Sequence, residues 1–316
     1  VGAIIHLWLN QEKMMKYFLA IPTYNGGKIW EESIANIKKY APEDLYVQVI
    51  DSGSRDGTAA LAEQAGFNVI GISSQEFNHG GTRNLAVDCA PADCDIVIFL
   101  TQDAIPEEGS LQKLVAAFED PKVACAYGRQ LPHVDATPIS QHARSFNYTA
   151  QNYVYTQADA ARVGLKTVFI SNSFAAYRIS TFKELGGFPS NTILSEDMYF
   201  AGKAVLAGYK VAYVAEAQVR HSHNYTSLEE FKRYFDIGVF HGKERWIHQN
   251  FGGAGGEGKK FIFSELRFLL KHGVMYIPRA CINNAMKIAG YKLGKNYKTL
   301  PFGWNRALSM HKRYWK

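Results

Sequence analysis

The stretch DIVIFLTQDA, residues 95–104, decides how the rest of this chain is read. Its first half, Ile96-Val97-Ile98-Phe99-Leu100, is a continuous apolar run of β-branched, aromatic and Leu side chains. A short run that is apolar on both faces and closed by a polar turn describes a strand in the middle of a covered sheet. The pattern recurs upstream: residues 17–21 (YFLAI) lead into PTYNGG, and residues 45–50 (LYVQVI) into DSGSRDGT. Residues 67–72 and 123–127 read as further strands. Helical spacings lie between them. Ile29, Ile34, Ile37 and Tyr40 share a face over 28–40, and residues 57–65 and 81–89 read as helices. Leu111, Leu114, Val115 and Phe118 point inward over 107–119. Strands alternating with helices imply right-handed crossovers, hence an α/β chain with a mostly parallel central sheet flanked by helices. Ligands of such sheets sit beyond the carboxyl ends of the strands, so the three polar turns are expected on one functional edge.

The second half is less regular. Residues 130–161 are polar and aromatic with few clear periods. Residues 167–170 and 174–177 read as extended, 195–206 and 228–246 as helices, and 211–214 as a strand. GGAGGEG, residues 252–258, reads as a hinge. Beyond it, residues 261–289 are apolar and basic together, broken at His272-Gly273 and Pro278. A length of 316 residues with 47% hydrophobic and 20% charged side chains suits a folded protein of one large domain or two smaller ones. Net charge is +6, but residues 255–316 hold 13 Lys and Arg against 2 Asp and Glu. A neutral-to-acidic body with a basic tail suggests a tail that touches something anionic.

No apolar run reaches the roughly 18 residues that cross a bilayer. Residues 1–10 lack the basic start and small-residue cleavage site of a signal peptide. Met14-Met15-Lys16 reads as a natural start, with residues 1–14 an N-terminal extension. Cys89, Cys94, Cys125 and Cys281 show no ligand-type spacing and read as reduced thiols of a cytosolic protein. No nucleic-acid-binding module is recognisable.

The polar stretches carry the chemistry. Asp51 ends a strand, where it can accept from a base N–H or a sugar hydroxyl; Ser54 or Asp56 either caps the next helix or shares that ligand. Asp103 follows the central strand and would face the crevice, where a hard cation can bridge a carboxylate to a diphosphate. Glu196-Asp197 opens a helix behind Ser195, which can cap it. Acids in a first turn suit the helix dipole. Two adjacent acids point apart, so one can cap or pair while the other acts as general base on a substrate hydroxyl. His221 and His223 stand at i and i+2 at a strand's end; one is a metal-ligand candidate, and surface histidines are the plainer alternative. In FNHGGTRN, residues 77–84, Gly80 and Gly81 would let the backbone pass close to a ligand. The helix start there would offer N–H groups to an anion, and Arg83 would add a fixed charge. The alternative is a tight capped turn.

Taken in order, PTYNGG, IDSGSRDGT, FNHGGTRN, FLTQDA, LSEDMYF and HSHNYT resemble the family 2 glycosyltransferases of GT-A fold, over residues 17–240. FNHGGTRN and HSHNYT look like the bacterial rhamnosyltransferase branch, which builds O-antigens and other surface polysaccharides. The resemblance implies a Rossmann-like GT-A catalytic domain over 15–226 and a helical, basic C-terminal region over 227–316. It implies that Pro22, Thr23, Tyr24 and Asn25 line the nucleotide pocket and that Asp51 binds the base or ribose. Gly80, Gly81, Arg83 and Gln102 would lie against the nucleotide-sugar. Thr101-Gln102-Asp103 stands where the family carries a DxD motif. The first acid is missing, which leaves Asp103 as principal ligand of a divalent metal, Mg²⁺ or Mn²⁺, with His221 or His223 completing the shell. Asp197 matches the catalytic base, with Glu196 its neighbour.

The implied reaction is single displacement with inversion, from a nucleotide-sugar donor, dTDP-β-L-rhamnose for that branch, to a saccharide acceptor. In the tail, Phe261, Ile262, Phe263, Leu266, Phe268, Leu269 and Leu270 stand beside Lys259, Lys260, Arg267 and Lys271. Such a stretch can lie in an anionic interface. It points to a lipid-linked acceptor and to a cytoplasmic protein peripheral on the inner face of the plasma membrane. A helix packed on the catalytic domain, or an oligomer contact, is the competing reading. A different class, an inactive nucleotide-sugar-binding or scaffold subunit, is permitted by the missing DxD acid and opposed by the intact Glu196-Asp197.

Overall fold

The computed structural model describes residues 15–253 and 256–316. The expectations about residues 1–14, including the start at Met14, lie outside the described residues. The strands are β1 (Tyr17–Thr23), β2 (Val47–Asp51), β3 (Asn68–Gly71), β4 (Ile96–Leu100), β5 (Ile105–Pro106), β6 (Val123–Leu131), β7 (Tyr153–Tyr155), β8 (Phe174–Arg178) and β9 (Lys210–Arg220). They form one sheet in the order β3-β2-β1-β4-β8-β6-β9-β5, with β7 paired to β9. Pairing is parallel from β3 through β4, as the alternating pattern requires. It then turns antiparallel on both sides of β8, and β5 and β7 also run antiparallel to β9. Apolar runs carry no direction, so the sequence could not show that β8 enters the sheet reversed.

Helices α1 (Gly27–Tyr40), α2 (Thr58–Gln64), α3 (His79–Asp88) and α4 (Ser110–Ala116) cover the parallel half, followed by α5 (Pro138–Asn147), α6 (Ala160–Val163), α7 (Ile179–Glu184) and α8 (Glu196–Leu206). Side chains alternate across β1: Phe18 and Ala20 join one core, Leu19 and Ile21 the other. On one face Trp30, Ile34 and Ile37 of α1 pack with Leu111 and Leu114 of α4. On the other Phe182, Phe188 and Phe200 crowd Tyr177, with ring centroids 4.8–5.9 Å apart. Each such fully buried side chain is worth about 1.5–3 kcal/mol of transfer free energy.

The C-terminal region is helical, as expected: α9 (Ser227–Lys243), α10 (Arg245–Phe251), α11 (Glu257–His272), α12 (Ile277–Lys295) and α13 (Phe302–Leu308). The single helix expected over 228–246 is two, broken at Glu244, and the segment expected as extended at 167–170 is half in a 3₁₀ turn that ends at Val168 and half in irregular chain. Helices α9 and α12 touch backbone to backbone. A Cβ on Gly294 would lie 1.9 Å from the Phe235 carbonyl oxygen, and one on Gly290 2.3 Å from that of Phe231. Phe231, Phe235, Val239 and Phe240 of α9, with Trp315 near the chain end, belong to the same core as Phe99 and Tyr177 of the sheet. The four cysteines are free thiols.

Candidate active site

The chain runs β1 to β2 to β3 in one direction along the sheet, then returns to place β4 on the other flank of β1. Open α/β sheets bind ligands in the crevice at such a switch point. Here that crevice lies between the loops after Thr23 and Leu100.

The loop after β1 is tied down by its neighbours. Gln102 holds Tyr24 at both ends: its Oε1 accepts from Tyr24 N (2.8 Å) and its Nε2 donates to Tyr24 O (3.1 Å). Asn25, at a φ of 47°, donates its N–H to Ser54 Oγ and accepts from Arg55 N through its side chain. Asp51 is buried and accepts four hydrogen bonds, from Thr23 Oγ1, Ser54 Oγ, Gly53 N and Ser54 N (2.6–3.1 Å). Four is about what a carboxylate can accept. Asp51 and Gln102, both expected to meet a ligand, brace this loop through these same polar groups. Asp56, two residues before α2, accepts from Thr58 N, Thr58 Oγ1 and Gly27 N. Pro22 and Thr23 lie in β1, in register with Ile50 and Asp51.

The FNHGGTRN stretch is likewise engaged within the protein. Asn78 caps α3 through its side chain, taking the Gly81 N–H at 2.6 Å, so this N–H is not offered to an anion. A Cβ on Gly80 would fall 2.1 Å from the Pro189 carbonyl oxygen, and one on Gly81 2.6 Å from Asn78 Nδ2. Both glycines answer to close packing within the protein. Arg83 is buried; its Nη1 donates to the His79 carbonyl (3.0 Å) and lies 3.2 Å from Glu196 Oε1. Part of its charge is therefore answered by Glu196.

A cavity of about 690 Å³ opens beside these loops. Asp103, His221, His223, Arg83, Glu196 and Asp197 all line it. Asp197 Oδ2 accepts from Asn172 N (3.1 Å) and its Oδ1 from Met198 N (2.7 Å). Burial first, then the charge of Glu196, push the Asp197 carboxyl up to about 7. Glu196 goes the other way. Burial would raise it, but Arg83, His79 and the Asn172 amide outweigh that and hold it below its ordinary value. Asn172 Nδ2 reaches Glu196 Oε1 at 2.9 Å, while its own Oδ1 accepts from buried Tyr177 (2.7 Å). Two adjacent carboxyls with opposed shifts are the pattern of a split acid–base assignment. Ser195, expected to cap α8, makes no side-chain cap bond; it takes a left-handed backbone, φ 59°, immediately before the two acids. Such strain in a non-glycine residue concentrates at functional sites.

Asp103, His221 and His223 bring one ligand atom each within 4.8 Å of one another. Nε2 of His221 and of His223 lie 3.4 and 3.7 Å from Asp103 Oδ2. Nδ1 of His221 shares a hydrogen bond with Gln130 Oε1 (2.9 Å), which orients the ring and leaves Nε2 for the cluster. Burial would raise Asp103, but the two histidines outweigh it and keep the carboxyl well below the usual range. Both histidines thus reach the acid, where the sequence had left one or the other. One carboxylate and two imidazoles fit a divalent transition ion such as Mn²⁺ better than Mg²⁺, which prefers oxygen.

Asn172, Gln130 and His79 were given no role in the sequence reading. Asn172 sits in an irregular segment and Gln130 near the end of β6, neither within a motif. His79 lies inside one, yet only the fold sets its Nε2 3.4 Å from His311 Nδ1 near the chain end.

A sheet with this switch point, an acid with two histidines and a raised carboxyl beside it is the equipment of a nucleotide-sugar-dependent transferase of GT-A fold. The model of glycosyl transferase family 2 matches residues 18–186, and the chain belongs to that family; it is a glycosyltransferase. It is 54% identical to the O-antigen chain rhamnosyltransferase RfbN of Salmonella typhimurium over 95% of this chain and 96% of that one. It is 50% identical to the O-antigen chain rhamnosyltransferase WbaN of Salmonella anatum, over 96% of each. Among solved structures it resembles a mannosyltransferase from Pyrobaculum calidifontis in complex with GDP-Man and Mn²⁺. The TM-score is 0.57 at 19% identity, covering 95% of this chain and 84% of that one, a likeness of fold.

Proposed function

We propose that the protein transfers L-rhamnose from dTDP-β-L-rhamnose to a saccharide acceptor in O-antigen assembly, with inversion to an α-rhamnoside. The likeness over nearly the full length to two O-antigen rhamnosyltransferases supports the sugar. The observation that carries the mechanism is the shared cavity, lined at once by Asp197 and by the Asp103–His221–His223 cluster. The acceptor hydroxyl gives its proton to Asp197 as its oxygen bonds to the anomeric carbon; the bond from that carbon to phosphate breaks, and the electron pair leaves with dTDP. Asn172 holds Asp197 and Glu196 in place, and Arg83 keeps Glu196 ionised beside it, which sustains the raised Asp197 pKa. Asp103, His221 and His223 would hold a divalent ion, whose chemistry is to neutralise charge on the departing diphosphate. The loop of Thr23, Tyr24 and Asn25, braced by Asp51 and Gln102, forms the nucleotide side.

The acceptor in this reading is lipid-linked. Phe263, Leu266 and Leu270 of α11 form an exposed apolar stripe at helical spacing, flanked by exposed Lys259, Lys260, Arg267 and Lys271. Among the described residues no helix is long and apolar enough to cross a membrane, so contact would be peripheral. The test is release of dTDP from a panel of nucleotide-sugars. Turnover is expected with dTDP-rhamnose and Mn²⁺, lost in EDTA and restored by Mn²⁺ more fully than by Mg²⁺. Binding without turnover under every condition would favour a scaffold subunit.

A further inference from the structure

Residues 309–315 are fastened to the catalytic half of the molecule, and the chemistry above gives them nothing to do. Asp236 of α9 is fully buried, and its Oδ2 accepts from Met310 N (2.9 Å) and His311 N (3.1 Å). His311 Nδ1 shares a hydrogen bond with Nε2 of His79, the first residue of α3, at 3.4 Å. The Tyr314 hydroxyl accepts from Lys243 Nζ (3.2 Å). Trp315, part of the core, meets the rings of Tyr297, Phe302 and Tyr314 at centroid distances of 5.3–6.3 Å. The 3₁₀ turn of residues 312–314 is therefore held on both sides. What it presents is Arg313. Its Nη1 donates to the Ser74 carbonyl (2.7 Å), in the loop after β3. Its guanidinium carbon stands 5.9 Å from the centre of the Tyr24 ring, in the loop after β1. Both side chains are open to solvent, Tyr24 by 45%.

A guanidinium is planar and stacks on aromatic faces, nucleobases included. Faces in contact lie about 3.5–4.0 Å apart. At 5.9 Å the two groups are too far apart to stack on each other. They fall about 1–2 Å short of the roughly 7–8 Å that one flat ring between them would need, a difference that an exposed side chain covers by changing rotamer. We infer that Arg313 and Tyr24 form a clamp for the base of the donor nucleotide, with the base held between the phenol ring and the guanidinium. The inference rests on the transfer reading above, which sets the nucleotide on the loop of Thr23, Tyr24 and Asn25, and adds a donor-binding residue from far outside the family-matched residues 18–186. Arg313, Tyr24 and Ser74 do not line the cavity that contains the Asp103–His221–His223 cluster. The clamp therefore meets the nucleoside end of the donor, while the diphosphate lies toward the cluster. Asp236, Lys243 and the rings around Trp315 set the position of the Arg313 backbone, so the helical region contributes directly to donor recognition.

The test is calorimetric titration of the full chain with dTDP and, separately, with inorganic pyrophosphate, each with Mn²⁺. Arg313→Ala should weaken dTDP by about tenfold, the weight of one stacked face, and pyrophosphate by less than about twofold. Melting should be unchanged, because the side chain is exposed. Arg313→Lys keeps a donor for the Ser74 carbonyl and loses the plane, so it should bind dTDP more weakly than the unaltered chain does. Unchanged dTDP affinity in Arg313→Ala would overturn the clamp and leave Arg313 as a brace for the Ser74 loop. Full affinity in Arg313→Lys would overturn the stacking, and equal losses for dTDP and pyrophosphate would move the guanidinium to the diphosphate and overturn the placement. A preference of the unaltered chain for UDP or GDP would overturn the donor named above, while a loss of that nucleotide in Arg313→Ala would still support the clamp. Absence of turnover with every nucleotide-sugar counts against the transfer reading and leaves the binding result standing.

Discussion

At the scale of single residues, the outcome turns on how two neighbouring carboxyls are treated. Glu196 faces Arg83 and Asn172 and stays ionised, while Asp197 accepts only two backbone N–H groups and is pushed up to about 7. A base must be deprotonated to act. Transfer is therefore expected to fall about tenfold per pH unit below about 6, and to level off above about 8. The acid limb of kcat/KM checks this, and a limb centred near 4 would mean that Asp197 is not the group that titrates. Asp197→Asn removes the base and should cost roughly 10²- to 10⁴-fold in kcat with donor binding kept. Near-normal kcat in that variant would eliminate the assignment. Legibility at this scale was uneven. The acid pair and the histidines announced themselves by type and spacing. Asn172 and Gln130, which aim them, could not, because a single amide outside any motif has no pattern.

At the scale of elements, the FNHGGTRN turn shows how one sequence signal serves two physical causes. Glycines at a helix start suit a ligand's close approach, and they equally suit the approach of another chain segment. Here the segment at Pro189 occupies the space above Gly80, and Asn78 closes the first turn. Gly80→Ala should accordingly destabilise the fold by about 1–3 kcal/mol, because backbone cannot yield as a side-chain end does. Thermal unfolding checks it, with donor KM expected to stay within about twofold. A raised KM with unchanged melting would restore the ligand-contact reading. Asp51 teaches the same point, since the carboxylate expected to meet a nucleotide is filled by Thr23, Gly53 and Ser54.

At the scale of the whole molecule, the basic C-terminal region is neither a loose tail nor a separate body. Helix α9 shares the core of the sheet, α12 lies against it at glycine contacts, and the exposed stripe of α11 is left facing outward. Phe261 of the same helix lines the cavity, so in the proposed reading docking this stripe on an anionic bilayer would set one wall of the cavity beside that surface. Phe263→Ser with Leu270→Ser should lower binding to phosphatidylglycerol vesicles roughly tenfold. Added salt should weaken what remains as the lysines are screened. Co-sedimentation checks both; vesicle binding that is unchanged in the variant would assign α11 to an oligomer contact or to solvent.

The parallel half of the sheet, the edge that carries the site, the acid pair and the family were all determined by local sequence. Hydrophobic period and turn chemistry act within a few residues, and those signals survive in one dimension. Only the tertiary structure decided which polar groups face a ligand and which face one another. It also decided the reversal of β8 and the meeting of both histidines with Asp103. Those outcomes depend on long-range packing, where a side chain's partners are set by segments up to about a hundred residues away or more, and no local spacing encodes that distance.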